Sequence, residues 1–417
     1  MKSLSIKIVS TLTVLLLMVG LCTMVAFAEE TVHLRAGTWD TAEGAHWIRV
    51  AFDKFEEQHP EIEIELQAMP AGYDDRIITG IAADNPPDIF MWWNYPKLVA
   101  LGGLEPLDDL GINFDNLSAT LNLYNSVDGK IYGVAKDFTT RVIWYNKKIF
   151  DEAGVPYPTN DWTWDEFRAI AKQLTNKEKN IFGFHIAPDS YDWQGYVWSN
   201  RGDLVDAAGT TMEGYLNSPE TIEAIKFLTD LYLVDKVSPS PAAASAMGGD
   251  YEMLTAGRVA MIDSGMWLLG YCKAREIDPA LFGTVMSPCP EGKKRVSVLH
   301  TCGWSLATAS KHKEEAIKVL KFIADEGGKT MAEAGWAFPT NLAVAKEYGL
   351  LDDSITNTFF DALDSCTVTP CYARTVDWWE KFDTYIAKAF DAILLEKSTV
   401  EEALNEAIRE SEAALER

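Results

Sequence analysis

Residues able to do covalent chemistry occur throughout this chain, but without the spacing that such chemistry needs. The six histidines, at positions 33, 46, 59, 185, 300 and 312, form no i, i+3 or i, i+4 pair, so no helix can present two of them to one metal ion. No Gly-x-Ser-x-Gly elbow, His-Glu-x-x-His helix or Gly-x-Gly-x-x-Gly fingerprint is present. Gly327-Gly328-Lys329-Thr330 imitates the end of a phosphate loop, yet Ile323 stands where the first loop glycine belongs, inside a helical pattern. A helix C-cap is the expectation there. Neither a metal nor a cofactor is expected. Carboxylates are abundant, and a catalytic pair need not be close in sequence, so acid–base hydrolysis stays open as the enzymatic alternative.

The other chemistry on offer is non-covalent. Flat aromatic rings beside carboxylates and amides stand at predicted strand ends, where open α/β sheets bind ligands. Trp39 follows the first strand, with Asp40 and Glu43 beside it. Trp92, Trp93 and Asn94 follow the third strand. Trp267 opens a helix after a strand ending at Ser264, and Tyr191 and Trp193 fall in a loop-like stretch. Trp47 occupies a periodic position and reads as core.

These rings need elements to hold them. A chain of 417 residues predicts two or three domains with substantial cores. Val32 to Trp39 reads as a strand, and Trp47, Ile48, Ala51, Phe52 and Phe55 recur at helical spacing. Ile62, Ile64 and Leu66 alternate with Glu63 and Glu65, a half-buried strand. A helix from about Tyr73 to Ala83 stops at Asn85-Pro86-Pro87, and the apolar strand Asp88 to Trp92 follows. Such alternation predicts βαβ units and a mainly parallel sheet. Asp128-Gly129 signals a hairpin turn. Thr163 with Glu166, and Thr399 with Glu402, read as capping boxes, and Ser218-Pro219 opens a further helix. Short strands are expected at Phe182–Ala187, Val259–Ser264, Gly283–Ser287 and Trp304–Thr308, and helices at Lys313–Asp325, Val376–Leu394 and Thr399–Leu415. No flexible tether separates the domains.

With 62 acidic against 37 basic side chains the formal charge is −25, which argues against nucleic acid and anionic membrane surfaces. It favours a soluble monomer that handles neutral or cationic ligands. Lys2 and Lys7, the apolar run Ile8–Val25 and the ending Ala26-Phe27-Ala28 predict a secretory signal peptide cut after Ala28. A retained anchor is the weaker alternative, and so is lipidation at Cys22, because Leu21 is bulkier than the usual residue before a lipidated cysteine. Export permits disulfides. Among Cys272, Cys289, Cys302, Cys366 and Cys371, one or two structural bridges are expected, with Cys366 and Cys371 near enough to close a loop.

The block Trp144-Tyr145-Asn146-Lys147-Lys148-Ile149-Phe150-Asp151-Glu152-Ala153-Gly154-Val155-Pro156 closely resembles the extracellular solute-binding proteins of family 1, which serve ABC importers. Maltose-binding protein is their familiar member. The resemblance continues through Trp162-Thr163-Trp164-Asp165-Glu166-Phe167, Gly257-Arg258-Val259-Ala260-Met261, Ser264-Gly265-Met266-Trp267, Asn85-Pro86-Pro87-Asp88-Ile89 and Gly335-Trp336-Ala337-Phe338-Pro339-Thr340. It implies a type II periplasmic-binding-protein-like α/β fold, two lobes joined by a hinge with ligand in the cleft. Residues 29–136 with 301–338 would form the N-terminal lobe, and 137–300 with 339–417 the C-terminal lobe. Crossovers are placed near Ala135–Thr139, His300–Gly303 and Pro339–Leu342.

The resemblance also implies a carbohydrate ligand, an ABC permease as partner, and no catalysis. A sugar has an apolar C–H face and a hydroxyl rim, which suit an indole and its polar neighbours respectively. One stack removing ~100 Å² from water is worth about 2.5 kcal/mol, so three approach the ~8 kcal/mol of a micromolar complex. In this family the position of Trp267 is commonly a sugar platform, and Trp378 and Trp379 fall where a further aromatic often stands. Trp336, Phe138 and Arg141 adjoin the implied crossovers. Asn94 and Tyr95 stand where maltose-binding protein has ligand-contacting carboxylates, a departure from the maltose pattern. A secreted glycosidase or polysaccharide lyase is the alternative from a different class, and the same fold binding a non-sugar solute is a further one.

Overall fold

The computed structural model describes residues 31–40, 42–187, 190–334, 337–370 and 379–415. The proposed signal peptide and Cys22, and likewise Trp336, Cys371 and Trp378, lie outside this set.

Strand β1 (Val32–Thr38), helix α1 (Ala42–Gln58), strand β2 (Ile62–Ala68), helix α2 (Tyr73–Ala82) and strand β3 (Ile89–Trp92) open the chain. In β2 the alternation works as written: Ile62 and Ile64 are buried while Glu63 and Glu65 face solvent. β1 pairs in parallel with both β2 and β3. Two later strands complete this sheet, β4 (Val134–Thr140) and a distant one over Leu299–Leu306, and the latter runs antiparallel to both β3 and β4. The βαβ strands β1, β2 and β3 are thus parallel as expected, and the Leu299–Leu306 strand, which arrives from elsewhere in the chain, runs against the other four.

One residue after β4 ends, β5 (Val142–Asn146) begins a second sheet. It lies between β6 (Met261–Ser264) and β7 (Phe282–Met286), both antiparallel to it. The Leu299–Leu306 strand, β8, then carries the chain back to the first sheet. A third crossing is marked by bridges from Phe138 to Phe338 and from Leu117 to Asn341. Phe182 and His185 make only isolated bridges to Val259 and Ile262, so the strand expected at 182–187 is fragmentary.

Each sheet has its own core. Leu34, Phe52, Phe55, Met91, Trp304 and Leu320 pack on the first. Phe167, Trp193, Leu228, Phe390 and Leu404 pack on the second. Phe138, Trp144, Met266, Phe338 and Phe359 form a cluster where the chain crosses between sheets.

The local start signals act as expected. Thr163 N donates to Glu166 Oε2 at 2.7 Å and Glu166 N to Thr163 Oγ1 at 3.3 Å, closing the box that opens Trp164–Leu174. The Thr399–Glu402 pair does the same for Val400–Leu415. Asp128 and Gly129 both take positive φ, 50° and 77°, as a two-residue hairpin turn requires. Other expectations fail. Tyr191 and Trp193 lie in a helix, Ser190–Ser199, not a loop. The glycines at 327–328 do not end a helix: Lys313–Phe322 runs on through a π segment, Ile323–Gly327, into Gly328–Ala334. A Cβ on Gly328 would meet Pro339 Cβ at 3.2 Å, so close packing accounts for that glycine. Cys272, Cys289, Cys302 and Cys366 are free thiols, which corrects the expected bridges. Among the described residues no helix is long and apolar enough to cross a membrane.

Candidate functional site

The turns after β1 and β3, the crossing strands β4 and β8, and the turn after β6 converge on a cleft of about 390 Å³. Its walls include Trp39, Asp40, Trp93, Lys136, Asp137, Thr139, Met266, Trp267, His300, Thr301 and Cys302. Aromatic rings come from three separate segments, as a site that holds a ligand on its flat faces requires.

Trp267 is the most open of these rings, 46% exposed, and lies 5.5 Å from the His300 ring at 59°. Trp39 stands edge-on to Tyr73 at 5.4 Å, and the Tyr73 hydroxyl donates to the Met91 carbonyl at 2.7 Å. Trp93 stacks on Trp92 at 6.5 Å and packs against residues of the second core. It touches both halves of the molecule.

The polar wall is an ion cluster. Lys136 Nζ lies 2.9 Å from Asp137 Oδ2 and 4.0 Å from Asp40 Oδ2. Burial opposes the Lys136 charge, but the Asp137 and Asp40 carboxylates outweigh it and hold the ammonium's pKa above the usual lysine range. Asp40 also accepts from Thr38 Oγ1 at 2.7 Å. Thr301 Oγ1 donates to the Asp137 carbonyl at 2.7 Å. Burial, reinforced by the Arg141 charge, pulls the His300 pKa down to about 3, leaving a neutral imidazole that can both donate and accept. Burial pushes the Cys302 thiol far up, so it is protonated and unreactive. Among the described residues no group of three or more His, Cys, Asp or Glu side chains could hold a metal.

Trp39, Asp40, Trp93 and Trp267 are brought together in the cleft. The other candidates fare differently. Trp92 is 1% exposed, its Nε1 donating to the Asn94 carbonyl at 2.5 Å, and Asn94 is itself buried. Trp92 packs with Tyr73, Phe90 and Tyr95 in a separate cluster instead of facing the cleft. Trp193 is equally buried, stacked on Phe390 at 5.0 Å, because the helix that replaces the expected loop turns it inward. Phe138 borders the cleft, but its ring is buried against Phe338 and Phe360. Arg141 is not part of the cleft wall and is committed to Asp263. The side chains of Glu43, Tyr191 and Trp379 lie outside the described set, as do Trp336 and Trp378.

Lys136, Asp137, Thr139, Met266, His300, Thr301 and Cys302 were not among the sequence candidates. All but Met266 belong to the two crossing strands, and the signal that could have found them is membership of the implied crossovers.

A family model for bacterial extracellular solute-binding protein matches residues 38–330. A binding protein of Brucella abortus (strain 2308) is 25% identical over 375 residues, covering 87% of this chain and 88% of the relative. An arabinooligosaccharide-binding protein of Halalkalibacterium halodurans is 27% identical over 277 residues, covering 64% of this chain and 58% of the relative. The solved structure of an ABC substrate-binding protein from Listeria monocytogenes in complex with cycloalternan superposes with a TM-score of 0.78 at 25% identity, covering 92% of this chain and 99% of that one.

Proposed function

Because the chain belongs to the bacterial extracellular solute-binding proteins, we propose that it captures an oligosaccharide in the cleft between its two sheets and delivers it, chemically intact, to the permease of an ABC importer. The observation that carries this reading is the pairing of an exposed indole, Trp267, with the Asp40–Lys136–Asp137 cluster in one cleft. The ring supplies a surface for a sugar's C–H face, and the cluster supplies acceptors and a donor for its hydroxyls. The relative named for arabinooligosaccharides and the neighbour holding cycloalternan support the same ligand class.

Delivery needs a cleft that closes, and closure needs only that ligand bind the closed form better than the open one. The lobes that suit this reading are 29–136 with 301–338, and 137–300 with 339–417. The chain would act as a monomer outside the cytoplasmic membrane after cleavage following Ala28, with Trp39, Asp40, Trp93 and Trp267 on the sugar.

A calorimetric titration with arabinotriose, maltotetraose, diacetylchitobiose and a galactooligosaccharide tests the proposal. Micromolar or tighter binding of at least one, with no reducing ends released on prolonged incubation, is the expected result. Release of product would turn the reading toward a glycosidase, and no binding to any member of a wide carbohydrate panel would end it.

A further inference from the structure

Trp267 would be a poor platform if its ring were free to swing, since each binding event would then have to order it. The structure holds it from three directions. A Cβ built on Gly265 would lie 2.8 Å from Trp267 Cε3 and Cζ3, and 2.9 Å from Thr139 Cγ2. The indole therefore rests on bare backbone, in space that any other residue at 265 would fill. The backbone of Gly265 is not left-handed, so the requirement for glycine is one of room alone. The Met266 amide donates to Thr139 Oγ1 at 2.8 Å, and Trp144 Nε1 donates to the Gly265 carbonyl at 2.9 Å. His300, which neighbours the indole, is the register partner of Thr139 across β4 and β8.

We propose that Gly265 and Thr139 are positioning residues for the Trp267 indole, fixing its face toward the cleft before a ligand arrives. Gly265 admits the ring, and the Thr139 hydroxyl pins the turn that carries it. Both crossing strands thus brace the platform, so the stacking surface and the connection between the two sheets are built from the same residues. That the platform serves a sugar rests on the function proposed above; its being held does not.

The test uses the full mature chain labelled with 5-fluorotryptophan, with the Trp267 resonance assigned by loss in Trp267→Phe. Gly265→Ala is expected to shift that fluorine resonance and leave most others in place. It should weaken binding at least tenfold for whichever of maltotetraose, arabinotriose or diacetylchitobiose the unaltered protein binds, with the melting temperature nearly unchanged. Thr139→Val keeps the methyl and removes the acceptor for the Met266 amide, so it should shift the same resonance, whereas Thr139→Ser should restore it. An unmoved Trp267 resonance in folded Gly265→Ala, or identical spectra for Thr139→Val and Thr139→Ser, would overturn the proposal. If Gly265→Ala does not fold, the valine and serine pair decides. If the unaltered protein binds no member of a wide carbohydrate panel while the fluorine shifts appear as stated, the carbohydrate reading fails and the positioning role stands.

Discussion

Arg141 Nε donates to Asp263 Oδ1 at 3.0 Å with both side chains less than a tenth exposed, and Arg141 Nη2 reaches the Asp263 carbonyl at 2.5 Å. The pair ties the residue between β4 and β5 to β6, one residue short of the Ser264–Trp267 turn. Asp263 also accepts from Tyr196 at 3.2 Å and Ser287 at 2.9 Å, so its oxygens are well supplied. Burial nonetheless raises its pKa above the ordinary value, against the pull of Arg141.

Removing one partner should cost more than the pair contributes, because the other is left charged and buried. Arg141→Met is expected to destabilise by about 3–5 kcal/mol. The Arg141→Met, Asp263→Leu double variant should recover part of that loss. Urea unfolding midpoints for the two variants check this, and equal midpoints would show the pair to be energetically idle.

The tryptophans separate into two groups by burial, and substitution should separate them the same way. Trp267→Ala removes a ring that is nearly half exposed, so it should cost about 2–4 kcal/mol of sugar affinity with little change in melting temperature. Trp92→Ala and Trp193→Ala empty sites that are 1% exposed and should each cost about 3–5 kcal/mol of stability. Calorimetry and thermal unfolding of the three variants give the comparison. A large affinity loss in Trp193→Ala without destabilisation would contradict its burial.

The crossing of β4 and β8 makes its own demand on sequence. A Cβ on Gly133 would meet Tyr95 Oη at 2.2 Å and one on Gly303 would meet it at 2.7 Å, so the tyrosine hydroxyl sits between two bare backbones beside the cleft. Gly303→Ala should destabilise by about 1–3 kcal/mol through overpacking. Tyr95→Phe, by freeing the space of one oxygen, should relieve part of that cost in the double variant, as a thermal-unfolding cycle would reveal.

What was legible in the sequence was local. The Ile62–Leu66 alternation, the two capping boxes and the Asp128-Gly129 turn depend on neighbours a few residues away, and each acts as read. The exposure of a tryptophan is not local. Trp193 is covered by Phe390, nearly two hundred positions along the chain, and no spacing rule announces that contact. Arg141 adjoins an implied crossover, but Asp263, 122 positions along the chain, claims its guanidinium. Lys136 and His300 were missed for a different reason. Neither is a Trp, Tyr or Phe, and both stand in the implied crossovers, whose polar residues form much of the cleft wall.

His300 links this wall to pH. Its ring borders Trp267, and burial together with the Arg141 charge lowers its pKa from 6.5 to about 3. Above pH about 6.5 the imidazole is neutral in the folded and unfolded chains alike, and it adds no pH dependence. As pH falls from there toward 3, the unfolded chain takes up a proton that the folded chain refuses. Stability must therefore fall with pH in this window, by at most about 1.4 kcal/mol per pH unit from this residue. His300→Gln cannot bind that proton in either state. The difference in unfolding free energy between the unaltered protein and His300→Gln should thus shift in favour of the variant on going from pH 7 to pH 5, measured by urea unfolding at each. Over the same range the folded imidazole stays neutral, so the affinity ratio of the two proteins for a bound sugar should stay constant. A stability difference that does not change with pH would mean that the folded ring protonates freely, and a pH-dependent affinity ratio would mean that it does so in the cleft.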